Sequence, residues 1–156
     1  MYYNRGQAQN YQPESRGEMM MTSKKSFREG YHTVTPYLTV SDAASAIEFY
    51  KQAFGATEIH RIVGEDGKIG FAALQIGDSR LMISDEFPEI GVRGPRSLGG
   101  SSVGIHLFVE DVDAWADRAI AAGAKVLRPV ADQGTDLRNG IFQCPFGHRW
   151  FIASAL

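Results

Sequence analysis

One pattern occurs twice in this chain, about 70 residues apart, and a duplication of that kind narrows the folds open to it more than any single motif. Val40-Ser41-Asp42 opens a stretch of helical period that ends at Phe54-Gly55-Ala56, and Val109-Glu110-Asp111 opens another that ends at Ala122-Gly123-Ala124. The openings lie 69 positions apart. Downstream, Ile76-Gly77-Asp78-Ser79-Arg80 and Phe146-Gly147-His148-Arg149 each place a tight glycine turn before a short apolar run, at a spacing of 70.

Each copy starts with a strand whose alternate residues are apolar: Val34, Pro36, Leu38 and Val40 in the first, Val103, Ile105, Leu107 and Val109 in the second. Side chains alternate across a strand, so these faces are expected to pack under helices. Ser41 or Asp42 can cap the first helix, with Ala43, Ala46, Ile47, Tyr50 and Phe54 as its apolar stripe. Asp111 can cap the second, with Val112, Trp115, Ala119 and Ile120 turned inward, and Gly55 and Gly123 close the two. Three strands follow in each copy, at 58–63, 69–76 and 80–84, then at 125–129, 140–143 and 149–153. The prediction is an α+β fold: two βαβββ modules, residues 31–84 and 101–156, forming curved mixed sheets around a central cavity, with the helices outside. Residues 85–100 are rich in Gly, Pro and charge, and are expected to be an irregular linker within one structural domain.

Composition limits the remaining choices. Residues 1–30 hold Gln, Asn, Ser, Gly and isolated Tyr without apolar period, too little to offset ordering entropy, and are expected to form a polar tail. Met19, Met20 and Met21 would also suit a translation start. No apolar run approaches the length of a membrane span, so no membrane is expected as a partner. Cys144 stands alone, which excludes an intrachain disulfide and suits a reducing compartment, so a cytoplasmic location is expected. The net charge is −2, spread without a basic stripe, and nucleic acid is not expected either.

Several local runs then carry a resemblance. Thr35-Pro36-Tyr37-Leu38, Ala46-Ile47-Glu48-Phe49-Tyr50, Ala53-Phe54-Gly55-Ala56, Ile76-Gly77-Asp78-Ser79, Ser84-Asp85-Glu86, Ser97-Leu98-Gly99-Gly100, Val109-Glu110-Asp111-Val112-Asp113 and Pro145-Phe146-Gly147-His148-Arg149-Trp150 occur in order. In them the chain, over about residues 33–154, resembles the vicinal oxygen chelate superfamily of glyoxalases, extradiol dioxygenases and bleomycin-resistance proteins, and more closely its PhnB-like branch. The resemblance implies paired βαβββ modules and a homodimer. It also implies a divalent-metal site in the enzymes, with ligands on the first and last strands of each module. Counted from the motifs, those positions fall on Thr35, Gly104 and Phe151, and on a fourth strand between Arg80 and Ser84 that offers neither carboxylate nor imidazole. No metal site and no cofactor are therefore expected.

Where the PhnB-like pattern has His, this chain has Phe71, and Cys144 stands in place of Asp. Only Arg138 of the usual aromatic-Gly-Asp-Arg run keeps its place. A more apolar pocket is implied, suited to a hydrophobic or aromatic small molecule. The ligand-binding candidates are Thr35, Tyr37, Phe71, His106, Phe108, Arg138, Trp150 and Phe151. His106 could equally be a hydrogen-bonded core residue, a donor to a ligand or a proton carrier, and is the candidate for catalysis. Arg138 can pair with a ligand anion or with a surface carboxylate, and the aromatic residues can stack on a ligand or fill volume. His148 is expected to serve the turn. The alternative to passive binding is a lyase, isomerase or dioxygenase-type enzyme with relocated metal ligands, or with His106 as acid or base.

Overall fold

The computed structural model describes residues 29–134 and 136–156, so the expected tail and the methionine cluster lie outside the described residues except for Glu29 and Gly30. In chain order the elements are β1 (Tyr37–Val40), α1 (Ala43–Phe54), β2 (Thr57–Val63), β3 (Ile69–Ile76), β4 (Ser79–Asp85), α2 (Pro95–Leu98), β5 (Gly104–Phe108), α3 (Val112–Ala121), β6 (Lys125–Asp132), β7 (Leu137–Gln143) and β8 (Arg149–Ala155). Two four-stranded sheets result, ordered β1-β4-β3-β2 and β5-β8-β7-β6. In each, the first strand pairs in parallel with the last and the others run antiparallel. The chain is an α+β fold of two βαβββ modules. Among the described residues, no helix is long and apolar enough to cross a membrane.

The two long helices begin alike because one chemical device starts both. The Asp42 side chain accepts a hydrogen bond from the Ser45 amide at 3.0 Å, and Asp111 accepts one from the Ala114 amide at 3.0 Å. Each satisfies an amide that the first helical turn leaves open, a contribution of about 1 kcal/mol. Bonds from the Ser45 amide and hydroxyl hold the Asp42 carboxyl below its usual pKa. Gly55 ends α1 in the left-handed conformation, φ 63°. The second stop differs from expectation: Ala122, still right-handed, caps α3, and Gly123 follows it. Ile120 is also not inward but 45% exposed, since α3 buries only Val112, Ala116 and Ala119.

The connection between modules is less irregular than predicted. It contains a 3-10 turn, Pro88–Ile90, and the single turn α2, each opened by proline and closed by a left-handed glycine. β6 and β7 run three residues further at their hairpin ends than their apolar runs suggest. Pro129, read as the end of β6, sits instead in an irregular stretch between the Arg128–Ile141 and Ala131–Asn139 pairs, where its missing N–H costs no ladder bond.

Leu38, Val40 and Ile83 from the first sheet join Phe142, Trp150 and Ile152 from the second, with α1 and α3, in a single hydrophobic core. Phe54 stacks on Trp115 at 6.1 Å and lies 4.8 Å from Trp150, while Tyr50 is 5.2 Å from Trp150. The Tyr50 hydroxyl bonds to Cys144 Sγ at 3.4 Å, and its complete burial raises its pKa well above the phenol range. Each helix thus covers its own sheet as predicted, but the two also pack on one another. Aromatic core therefore fills the space beneath the helices, the faces of the sheets that carry no helix lie outside it, and a groove lined by both modules remains open beside it.

Candidate functional site

Strand register decides what each uncovered face displays. On the first sheet, Tyr37 lies opposite Met82, Met82 opposite Ala73, and Ala73 opposite His60; one row further, Thr39 lies opposite Ser84, and Phe71 opposite Ile62. Tyr37 and Phe71 meet at 6.3 Å, His60 and Phe71 at 6.3 Å, and the Tyr37 hydroxyl donates to the Gly70 carbonyl at 3.3 Å. On the second sheet, one row runs His106, Phe151, Ile141, Arg128 across all four strands, flanked by Phe108, Ala153, Asn139, Ala131 on one side and Gly104, Arg149, Gln143, Lys125 on the other.

His106 is held between two rings. It stacks on Phe108 at 4.3 Å and lies parallel to Phe151 at 5.9 Å and 6°. Partial burial against them pulls its pKa below the usual imidazole value, which leaves the neutral ring able to accept a proton near neutrality. Gly104, on the same face, has no side chain because Phe151 takes its place: a Cβ there would lie 2.4 Å from Phe151 Cε2.

The predicted residues are thus divided. Tyr37 and Phe71 share one face, and His106, Phe108 and Phe151 share the other. Thr35 precedes β1, and its hydroxyl donates to the His32 carbonyl at 3.0 Å. Trp150 is 1% exposed in the common core, because a strand that turns Phe151 outward must turn Trp150 toward the helices. Arg138 is also turned to the helix side, where Nε and Nη2 grip Asp113 at 2.9 Å each and Nη1 meets Asp132 at 3.0 Å. Its donors are engaged with two carboxylates, which lift its pKa further and lower that of Asp113. His148 bonds through Nε2 to the Thr39 carbonyl on the outer edge of β1 at 3.0 Å, and burial lowers its pKa. It ties the second module to the first.

A groove of about 890 Å3 runs beside the outer edge of β5, lined by His106, Phe108 and an edge of Trp150 together with Val34, Pro36 and Leu81 of the first module. Tyr37, Phe71 and Phe151 do not line it. His60, with no partner at ligand spacing in the sequence, joins Tyr37 and Phe71 on the first face, while Met82, Ile141, Arg128 and Asn139 went unmarked; alternation along β7 points to Ile141 and Asn139, whereas nothing in the pattern of β6 marks Arg128.

The metal positions implied by the resemblance do not suit a divalent ion. Thr35 spends its hydroxyl on a carbonyl, and Gly104 and Phe151 form a glycine covered by a phenyl ring. Among the described residues, no three His, Cys, Asp or Glu side chains cluster as a metal would require.

Comparison with known proteins agrees with this fold. The model of the Glyoxalase/Bleomycin resistance protein/Dioxygenase superfamily matches residues 31–152. The uncharacterized protein Rv0887c of Mycobacterium tuberculosis is 48% identical over 122 residues, covering 76% of this chain and 72% of that one. Among solved structures, PA1353 from Pseudomonas aeruginosa is 25% identical with a TM-score of 0.64, covering 80% of this chain and 98% of its own. A PhnB protein from Bacillus cereus, 15% identical, has a TM-score of 0.62 over 80% of this chain and the whole of its own, a likeness of fold alone.

Proposed function

This chain belongs to the glyoxalase/bleomycin resistance protein/dioxygenase superfamily, and from that premise we propose that it binds a small, flat, largely apolar molecule against its uncovered sheet faces, without a metal ion and as a homodimer. The observation that carries the reading is the Phe151 ring lying over Gly104, beside His106 and Phe108. At the two positions where the resemblance implies metal donors in this module, the chain presents a stacking surface.

The need for a second copy follows from magnitude. A ring system covering about 150 Å2 of one open apolar face gains about 4 kcal/mol, which corresponds to millimolar affinity before any loss of freedom is charged. Covering both sides of the same molecule doubles the gain. In this reading a second copy supplies the other side. β1 and β5 are edge strands, the outer side of β1 meeting His148 at the Thr39 carbonyl, and Tyr37 and Phe108 on them are 49% and 72% exposed, with Val34 and Val103 just before them at 84% and 65%. A second copy laid against these edges covers them and faces one aromatic surface with another.

Light scattering and calorimetric titration with naphthalene-sized compounds test this together. The expected result is a dimer that binds such compounds in the micromolar range, with Phe151→Ala losing binding and keeping the dimer. A monomer with no affinity for any of them would defeat the reading. One observation favours a second reading, catalysis with His106 as acid or base: the imidazole is accessible and its pKa lowered. Stoichiometric zinc, nickel, manganese or iron in untagged protein would turn that reading toward metal-dependent chemistry.

A further inference from the structure

Strict alternation along β6 would put Val126, Arg128 and Val130 on one face, the helix side. The register shows otherwise. Val126 lies opposite buried Phe142, Arg128 lies opposite Ile141 on the uncovered face, and the ladder is irregular both between Val126 and Arg128 and between Arg128 and Ala131. Irregularities of this kind re-aim a side chain, at the expense of ladder hydrogen bonds. Here the chain departs from regular pairing on both sides of one residue, and that residue is an arginine.

Arg128 has no carboxylate partner among the described residues, unlike Lys51, Arg61 and Arg138. One Nη bonds to the Asn139 side-chain oxygen, and Nε is buried with no partner. A guanidinium carries five donors in a planar fork, so a half-buried one with unspent donors leaves desolvation uncompensated until an acceptor arrives. Lys125 and Arg149 occupy the next row of the same face, also without carboxylate partners, and none of its registered positions holds Asp or Glu. Three cations on one face without a carboxylate partner among the described residues stand out in a chain whose net charge is −2. Along the central row, Phe151 and Ile141 lie between His106 and Arg128, and three strand spacings separate the row's ends by about 14 Å.

We propose that this face recognises an anion: the molecule bound is a flat ring system carrying a carboxylate or similar oxyanion, its rings on Phe151 and Ile141 and its charge on Arg128, held in place by Asn139. The proposal rests on the ligand-binding reading above and adds the chemical class of the ligand.

Calorimetric titration of the full-length protein with 2-naphthoate and with 2-naphthamide, which has the same shape without the charge, tests it. The expected result is about tenfold or greater preference for naphthoate, as a charge-assisted bond to a fork of this kind provides. In Arg128→Gln the preference falls toward unity, naphthoate losing about tenfold while naphthamide loses much less; 1-naphthyl phosphate run beside them tells a carboxylate site from a phosphate site. Should Arg128→Gln fail to fold, wild-type protein decides alone: raising sodium chloride from 50 to 500 mM weakens naphthoate binding severalfold and leaves naphthamide untouched. Equal affinity for the two in wild-type protein overturns the anion proposal and leaves ligand binding standing. If neither binds, the ligand-binding reading itself fails and this one with it.

Discussion

Removing the Trp150 side chain separates two roles that the sequence allows it, ligand wall and core. In the structure it is 1% exposed, 4.8 Å from Phe54 and 5.2 Å from Tyr50, so it joins the second sheet to the helix of the first module. Trp150→Ala therefore leaves a cavity between modules and is expected to cost about 4 kcal/mol, within the range for large aromatic truncations in a core. The unit His32–Leu156 carries an unfolding entropy of about 0.26 kcal/mol per degree at roughly 125 residues, so the melting temperature should fall by about 15 °C. A cycle with Phe54→Leu should show a coupling of about 1 kcal/mol, because the two rings touch. Differential scanning calorimetry measures both. A drop of under about 5 °C, with ligand affinity lost instead, would place Trp150 on the binding surface and refute the shared core.

Three further outcomes follow from the same geometry. Gly104→Ala brings a Cβ to 2.4 Å from the Phe151 ring; the half-buried ring swings aside at about 1 kcal/mol, and the His106 pKa, read by NMR titration, rises toward the ordinary imidazole value as its cover is lost. His148 has a folded pKa below its unfolded one, so the unfolded chain takes up the proton more readily; stability should be full above about pH 7 and decline as pH falls through about 6.5, and His148→Gln should flatten that decline in a melting-temperature series. Arg138→Gln should leave naphthoate binding unchanged in calorimetry, since its guanidinium is held by Asp113 and Asp132 on the helix side.

Local chemistry made the modules legible in the sequence. Asp42 and Asp111 each precede a 3.6-residue apolar period, and Leu38, Val40, Ile105 and Leu107 alternate as half-buried strands do, so element type and order followed from short-range rules. What those rules omit is what a helix meets beyond its own sheet. Yet α1 buries Ala43, Ala46, Ile47, Phe49, Tyr50, Ala53 and Phe54, a stripe too wide for one sheet, and Phe49 beside Tyr50 is the sign that it has a second neighbour. Trp150 and Phe151 are adjacent on one strand, so they could not both have faced a ligand; alternation alone excluded the pair. Arg128 was hidden for the opposite reason, since two ladder irregularities break the alternation that would have placed it.

The division between faces also explains how such a fold can change its chemistry while keeping its shape. Side chains under the helices meet contacts from both modules, as Trp150 does at Tyr50 and Phe54. On the uncovered face of the second sheet Gly104 and Phe108 are exposed and Phe151 only half-buried, and the cost expected at Gly104 is about a quarter as large. Gly104 and Phe151, at positions where the resemblance implies donors, sit on the side of the sheet where substitution is expected to cost least. Structures of 15–25% identity accordingly share this architecture, while the proposed ligand rests on the row His106, Phe151, Ile141, Arg128, about which shared fold carries no information.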